Sequence, residues 1–463
     1  MISKRRFFLA VVTTAAALPL QACSDDNPGG SGGAGGSMST STGTTSSVGG
    51  AGGAGGNPTG GGGSGGAPGV KARGYYFSQD AATNVWVVTV ADPEAPEPVV
   101  ATLTVDDLAA ISGPAGNNLG PSWGDAIPSP DGSRIFANAS NADRTLVIEA
   151  ATASIEAVLP VGGKPLHMYN PNDNNEIWTH NDTDGTFNVI DVDTLAVSPP
   201  VQVNLKKTGH GKLLYAKELG TDYFATNTSD PGGWSVDGTT RAATFIPLCA
   251  KPCEDDPATP EDESLKMCGG THDKTYDPAT NTAIFQCSGP TGGSVAFVDG
   301  TTKEVTQNLV PMAVSAFAFS HHKEYNLVFD TMNSVVNIWD TAAPEHSLSK
   351  FDATVTITGN ASGRGTDFRQ NDKGEWEAWI PQSTGTKLVR LNLKTLAMEE
   401  IEIGTLSPPP GGSSATRRGW IAGSWFFTNN DAGLVMVHMD SMKIVTAPAP
   451  AGTIVRVTAA ETK

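Results

Sequence analysis

From about Gly74 onward the chain repeats one local form, and that repetition constrains the fold more than any single motif. In each unit a short strand runs into a Pro/Asp/Asn turn, a hydrophobic strand follows, and a third strand ends in a residue such as Asp. Pro128-Ser-Pro-Asp-Gly-Ser-Arg-Ile-Phe is matched by Tyr169-Asn-Pro-Asn-Asp-Asn-Asn-Glu-Ile-Trp and by Tyr276-Asp-Pro-Ala-Thr-Asn-Thr-Ala-Ile-Phe. Third strands read Phe187-Asn-Val-Ile-Asp, Ser294-Val-Ala-Phe-Val-Asp and Val335-Val-Asn-Ile-Trp-Asp, and fourth strands such as Ile155-Glu-Ala-Val-Leu-Pro close the units. Four strands recurring about every 40–50 residues predict an all-β fold, a β-propeller of seven or eight four-stranded blades over residues 71–463. Units begin near Gly74, Trp123, Leu166, His210, Thr271, Ser315, Asp367 and Arg418, and the terminal pieces are able to share a blade.

Ahead of the repeats the chain reads as targeting and tether. Lys4-Arg5-Arg6 is a basic n-region, Phe7 to Pro19 a moderately apolar h-region, and Leu20-Gln21-Ala22-Cys23 a lipobox. This resembles a bacterial lipoprotein signal. The resemblance implies removal of residues 1–22, lipidation of Cys23 and a membrane held through that anchor; Ser24 implies the outer membrane. Arg5-Arg6-Phe7-Phe8-Leu9 also resembles the twin-arginine export pattern. Residues 27–69 are almost entirely Gly, Ser, Thr, Ala and Pro, too poor in apolar surface to offset their ordering entropy. Residues 23–70 are therefore expected to form a flexible tether with a reach of roughly 35–40 Å. The formal net charge of −18 argues against nucleic acid as a partner. Beyond Cys23, Cys249, Cys253, Cys268 and Cys287 remain, and an even number in an exported chain predicts two disulfides. The favoured pairs are Cys249–Cys253 and Cys268–Cys287; a four-cysteine zinc knot competes but lacks a repeated C-x₂-C spacing.

Counting back from each first-hairpin turn gives one residue near the start of each innermost strand: Asp125, His167, His210, His272, Ser315 and Asp367. In a propeller such positions converge at one mouth of the central channel. Three imidazoles with one or two carboxylates suit a borderline-hard cation, zinc first. The expected ligands are His167, His210 and His272, with Asp125 or Asp367 giving an oxygen or fixing an imidazole tautomer. Folding the hairpin about Tyr276-Asp-Pro brings Cys287 roughly opposite His272, so a Cys268–Cys287 bridge would clamp the segment presenting that histidine.

Val161-Gly-Gly-Lys-Pro-Leu-His167 and Ser129-Pro-Asp-Gly-Ser-Arg-Ile-Phe resemble the repeats of bacterial YVTN-type propellers. Cys268, His272 and Cys287, together with Gly209-His210-Gly211, resemble the periplasmic zinc-chaperone propellers that serve zinc ABC importers. That resemblance implies a metal-transport partner. Thr271-His272-Asp273 departs from the His-Gly-Glu of that family, and no His-rich loop is evident.

The remaining histidines read as bystanders. His321-His322 falls in a first-hairpin turn on the opposite face and reads as solvated, and His180, His346 and His438 look like ordinary surface or blade residues. No Cys-x-x-Cys-His, Gly-x-Ser-x-Gly, Walker loop or His-Glu-x-x-His occurs. The sequence thus reads as a surface-tethered, metal-binding lipoprotein of the cell envelope, a metallochaperone or store rather than an enzyme. The alternatives are a metal-free scaffold for protein or glycan, with Trp123, Trp234 and Trp425 offering contacts, and a propeller hydrolase or lactonase.

Overall fold

Each repeat folds into an antiparallel sheet, and the described residues form eight four-stranded sheets. The computed structural model describes residues 71–462 except 81–84, 106–121, 172–173, 206–207, 249–267, 269, 289–293, 312–318, 323, 331–332, 362–364, 408–418 and 450–451. The signal segment, the tether, Cys23, Cys249, Cys253 and Ser315 lie outside the described residues. Blade 2 runs Trp123–Pro128, Arg134–Ala139, Arg144–Glu149 and Ser154–Pro160, each strand paired with the next. The first strands of blades 3 to 8 are Pro165–Tyr169, Leu213–Leu214, Gly270–Asp277, Phe319–His322, Asp367–Gln370 and Trp420–Ala422.

Blade 1 is shared between the chain ends. Thr453–Thr462 pairs with Lys71–Asp80, from Lys71↔Thr462 to Gln79↔Thr453, and supplies that blade's first strand. The ring therefore has eight blades, the upper of the two expected numbers. First strands touch those of neighbouring blades, as Thr453–Thr462 does Trp123–Pro128 and the latter does Pro165–Tyr169, so they line the axis.

One apolar layer fills each gap between consecutive blades. Alternation along a strand sends successive side chains to opposite faces. Ile135 and Ala137 pack toward blade 1 with Tyr75, Phe77 and Trp86, whereas Phe136 packs toward blade 3 with Met168 and Ile177. Both faces of the middle strands are thus covered, which is why they read as unbroken apolar runs. The last layer, Trp425, Phe427 and Leu434 against Tyr76 and Val457, closes the ring. Trp123, Trp234 and Trp425 are all buried in these layers, which removes the aromatic contacts expected of a scaffold surface.

The recurrent acid at the end of each third strand has a local cause. Asp191 Oδ1 accepts the Thr194 N–H at 2.7 Å, and Asp237 Oδ1 accepts those of Thr239 and Thr240 at 2.8 Å. Asp299 and Asn392 cap the equivalent turns, and Leu195, Arg241, Lys303 and Leu396 complete them with positive φ. Cys268 and Cys287 form a disulfide with Cα atoms 5.2 Å apart. The Cys268 N–H donates to the Leu248 carbonyl at 2.9 Å, closing the base of the 249–267 insertion beside His272.

Candidate metal centre

The first strands of blades 2, 3 and 5 carry the same irregularity near their starts. Register shifts between Trp123 and Ala126, between Pro165 and Met168, and between Thr271 and Lys274. A bulge of this kind re-aims side chains toward a rim. Asp125, His167 and Asp273 hold its second position; Lys212, Asp367 and Arg456 stand at the matching places of blades 4, 7 and 1. His210 and His272 therefore lie two and one residues upstream of the position at which simple counting placed them. Two glycines bring His210 back over the channel. Gly209 has φ +131°, and a Cβ there would lie 2.1 Å from Asn227 Oδ1; a Cβ on Gly211 would lie 2.1 Å from the Thr226 carbonyl oxygen.

The result is an unbroken chain of side chains across blades 1 to 4. Arg456 Nε lies 3.6 Å from Asp125 Oδ1, and Asp125 Oδ2 lies 2.8 Å from His167 Nδ1. His167 Nε2 faces His210 Nε2 at 3.0 Å. His210 Nδ1 is 3.0 Å from Asp182 Oδ2, whose other oxygen is 3.0 Å from His180 Nδ1. The His272 ring stacks on that of His210, centroids 5.0 Å apart and planes 19° apart.

Proton accounting makes the central contact informative. An ionised carboxylate only accepts, so each Nδ1 facing one carries a proton, an assignment made from the hydrogen-bond network. Burial alone would push the Asp182 carboxyl up, but His210 and His180 hold it well below the usual carboxylate range, and it is ionised. Neutral imidazoles protonated at Nδ1 present lone pairs at Nε2, and two lone pairs 3.0 Å apart repel. A positive species between them, a shared proton or a metal cation, satisfies both. Two nitrogens on a tetrahedral zinc ion are about 3.3 Å apart, so the pair has to open only slightly. Among the described residues no group of three or more His, Cys, Asp or Glu side chains is already arranged to hold a metal. The donor chemistry fits the cation nonetheless, as an aligned pair with a third imidazole, His272, beside it.

Sequence reasoning missed His180 and Asp182. Of the surface or blade reading, His180 takes the blade: it is fully buried, burial pushes its imidazole down against the pull of Asp182, and among the described residues its Nε2 has no hydrogen-bond partner. It lies directly opposite the bulge that presents His167, the one signal that would have found it.

Asp367, expected as an oxygen ligand, is turned elsewhere. Its Oδ2 accepts the Ile421 N–H at 2.7 Å and its Oδ1 the Phe368 N–H at 2.8 Å, so it fastens blade 7 to blade 8. Burial pushes this half-buried carboxyl up to about 6. A carboxyl whose folded pKa exceeds its unfolded value loses stability as pH rises from roughly 4 to 6. The loss is about 3 kcal/mol at most, since residual water contact screens it. Asp367→Asn should remove that slope, as read by Tm against pH, although its amide can accept only one of the two backbone N–H groups. Parallel profiles would show that the carboxyl carries no such cost.

Three other histidines are structural. His346 Nδ1 lies 2.8 Å from Asp352 Oδ2 and its Nε2 3.2 Å from Asp277 Oδ2. Burial lowers its pKa, but the two carboxylates more than reverse this and raise it, so the ring acts as a cationic clasp between blades 5 and 6. His321 and His322 are only partly exposed and have partners within the fold. His321 Nδ1 bonds Asn326 Oδ1 at 2.8 Å, and His322 packs on Phe368 and Trp376 of blade 7.

No family model matches this chain, and no curated protein matches it in sequence. Solved structures do resemble it. The crystal structure of AztD from Citrobacter koseri aligns with a TM-score of 0.55 at 13% identity, over 85% of this chain and 99% of that one. Apo AztD from the same organism gives 0.55 and 13%, over 85% and 98%. The dihydro-heme d1 dehydrogenase NirN, in complex with DHE, aligns with a TM-score of 0.54 at 13% identity, over 84% and 74%. At such identities the likeness establishes the propeller fold and nothing finer.

Proposed function

We propose that this chain is a tethered, non-enzymatic propeller that carries a zinc-type cation in the cell envelope. The observation that carries the reading is the apposition of His167 and His210 through Nε2, with both Nδ1 atoms committed to carboxylates. That is how proteins prepare imidazoles for a metal: the outer carboxylate fixes the tautomer and raises ligand basicity. Asp125 and Asp182 hold the two rings, Arg456 supports Asp125, and His180 shares Asp182. His272 supplies the third imidazole on a segment anchored by the Cys268–Cys287 disulfide. The zinc-chaperone resemblance of Cys268, His272, Cys287 and Gly209-His210-Gly211, carried on a fold shared with AztD, points to zinc as the cargo. Lipidated Cys23 and the 23–70 tether would hold the propeller at the outer membrane, and a metal-transport protein would collect the ion at the channel mouth.

Zinc titration of the full chain tests this, with uptake of about one tightly held ion expected; no uptake would overturn it. Asp182→Asn keeps the shape of the side chain but removes the charge that fixes both His180 and His210. It should weaken zinc binding roughly 10- to 100-fold with little change in Tm. Unchanged affinity would mean that Asp182 plays no part in binding.

A further inference from the structure

Lys274 lies two residues after His272 on the first strand of blade 5. Its Nζ stands 5.7 Å from the ring centroid of Tyr169 in blade 3, and that ring is 6.4 Å from the ring of His167. The side chain therefore reaches past blade 4 to a point one aromatic ring away from the histidine pair. It is half-buried, and its charge neighbour among the described residues is the adjacent Asp273.

The other cations on this rim differ. Arg456 faces Asp125 at 3.6 Å, and Lys212 Nζ bonds Asp273 Oδ1 at 2.8 Å. Asp273 is fully committed: Oδ1 also accepts the backbone N–H of Lys274 at 3.0 Å, and Oδ2 accepts that of Phe319 at 3.0 Å. In a chain with 48 acidic and 30 basic residues, a half-buried ammonium whose charge partner among the described residues, Asp273, is already shared with Lys212 and two backbone N–H groups is an exception. The face of Tyr169 compensates it only in part.

Charge balance sharpens the point. With a dication between His167 and His210, the ion, Arg456 and Lys274 together outweigh Asp125 and Asp182, while Lys212 and Asp273 cancel. Three imidazoles also leave a four-coordinate zinc one position short. A single anion answers both deficits.

We propose that the channel takes its metal together with a small carboxylate, whose charge Lys274 meets and whose oxygen completes the coordination. This rests on the metal-binding reading above. The probe is acetate, and the assay is zinc affinity of the full chain in chloride buffer with and without it. Acetate should tighten zinc binding on the order of tenfold in the parent. Lys274→Met, which keeps the apolar stem, should abolish that gain; in chloride it should bind zinc no more weakly than the parent, because it deletes a like charge near the dication. No effect of acetate on the parent, or a gain that survives Lys274→Met, overturns the proposal. If the chain takes up no zinc at all, ¹³C-acetate line broadening on the zinc-free protein reads the anion subsite by itself. Broadening lost in Lys274→Met sustains that subsite, and its absence in the parent removes it. The variant should also hold or raise Tm, because it deletes a partly desolvated charge whose carboxylate neighbour keeps Lys212; a clear fall would make Lys274 a structural residue and overturn the assignment.

Discussion

A chain carrying His167→Ala and His210→Ala should lose zinc affinity by far more than the ~100-fold that loss of an outer partner costs. Each substitution removes a ligand, and neither leaves a new unpaired charge. Without His167, Asp125 keeps Arg456; without His210, Asp182 keeps His180. The metal-free double variant should therefore unfold within a few degrees of the parent. Zinc at 100 times its Kd would stabilise the parent by about 2.7 kcal/mol, and that increment should vanish in the variant. Thermal unfolding with and without zinc reads both quantities. Parent-like stabilisation by zinc would sink the site. A collapse of the metal-free variant would instead make the histidine pair a structural hydrogen bond carrying a shared proton.

Which parts of this molecule were legible in the sequence follows from the range of the interactions involved. Hairpin and third-strand turns are local. Asp191 and Asp299 bond residues three positions on, so the unit and its repetition could be read directly. Ring closure is not local: Lys71 pairs with Thr462, and nothing near either residue announces it. Counting back from the turns found Asp125 and His167 because blades 2 and 3 share one bulge. It misjudged blades 4 and 5, where His210 hangs on a glycine-flanked arm and Asp273, not His272, holds the bulge position. Asp367 occupies the equivalent place yet serves a backbone, since its neighbours are Phe368 and Ile421 rather than an imidazole. His180 and Asp182 come from the end of a second strand, opposite the bulge that presents His167, a place that counting back from the turns never visits. The same reason hid the setting of His322, which lies against aromatic rings from the next blade.

Glu377→Ala should cost about 3–5 kcal/mol of stability, as expected when one partner of a buried ionic network is deleted. Glu377 is only 1% exposed and receives Arg390 Nη2 at 2.6 Å, Asn371 Nδ2 at 3.1 Å and Arg369 Nε at 3.4 Å. Arg369 continues into blade 8, to Asp440 Oδ1 at 2.7 Å and the Met439 carbonyl oxygen at 3.3 Å. Both guanidinium groups flank the buried Trp379 ring, at 5.5 and 5.8 Å. Truncating Glu377 leaves the buried Arg369 and the half-buried Arg390 with only rim carboxylates, Asp440 and Glu399, and loosens the seam between blades 7 and 8. Glu377→Gln retains the shape and one acceptor, so it should cost distinctly less. The exposed pair Arg134–Glu156 is the control, worth at most about 1 kcal/mol on deletion. Denaturant unfolding measures all three. A Glu377→Ala loss no larger than the control's would mean that the arginines find other partners. Zinc affinity should be untouched by Glu377→Ala, while the histidine substitutions abolish affinity and spare stability. That opposite pair of outcomes separates charges that hold the ring together from those that prepare the channel for its cargo.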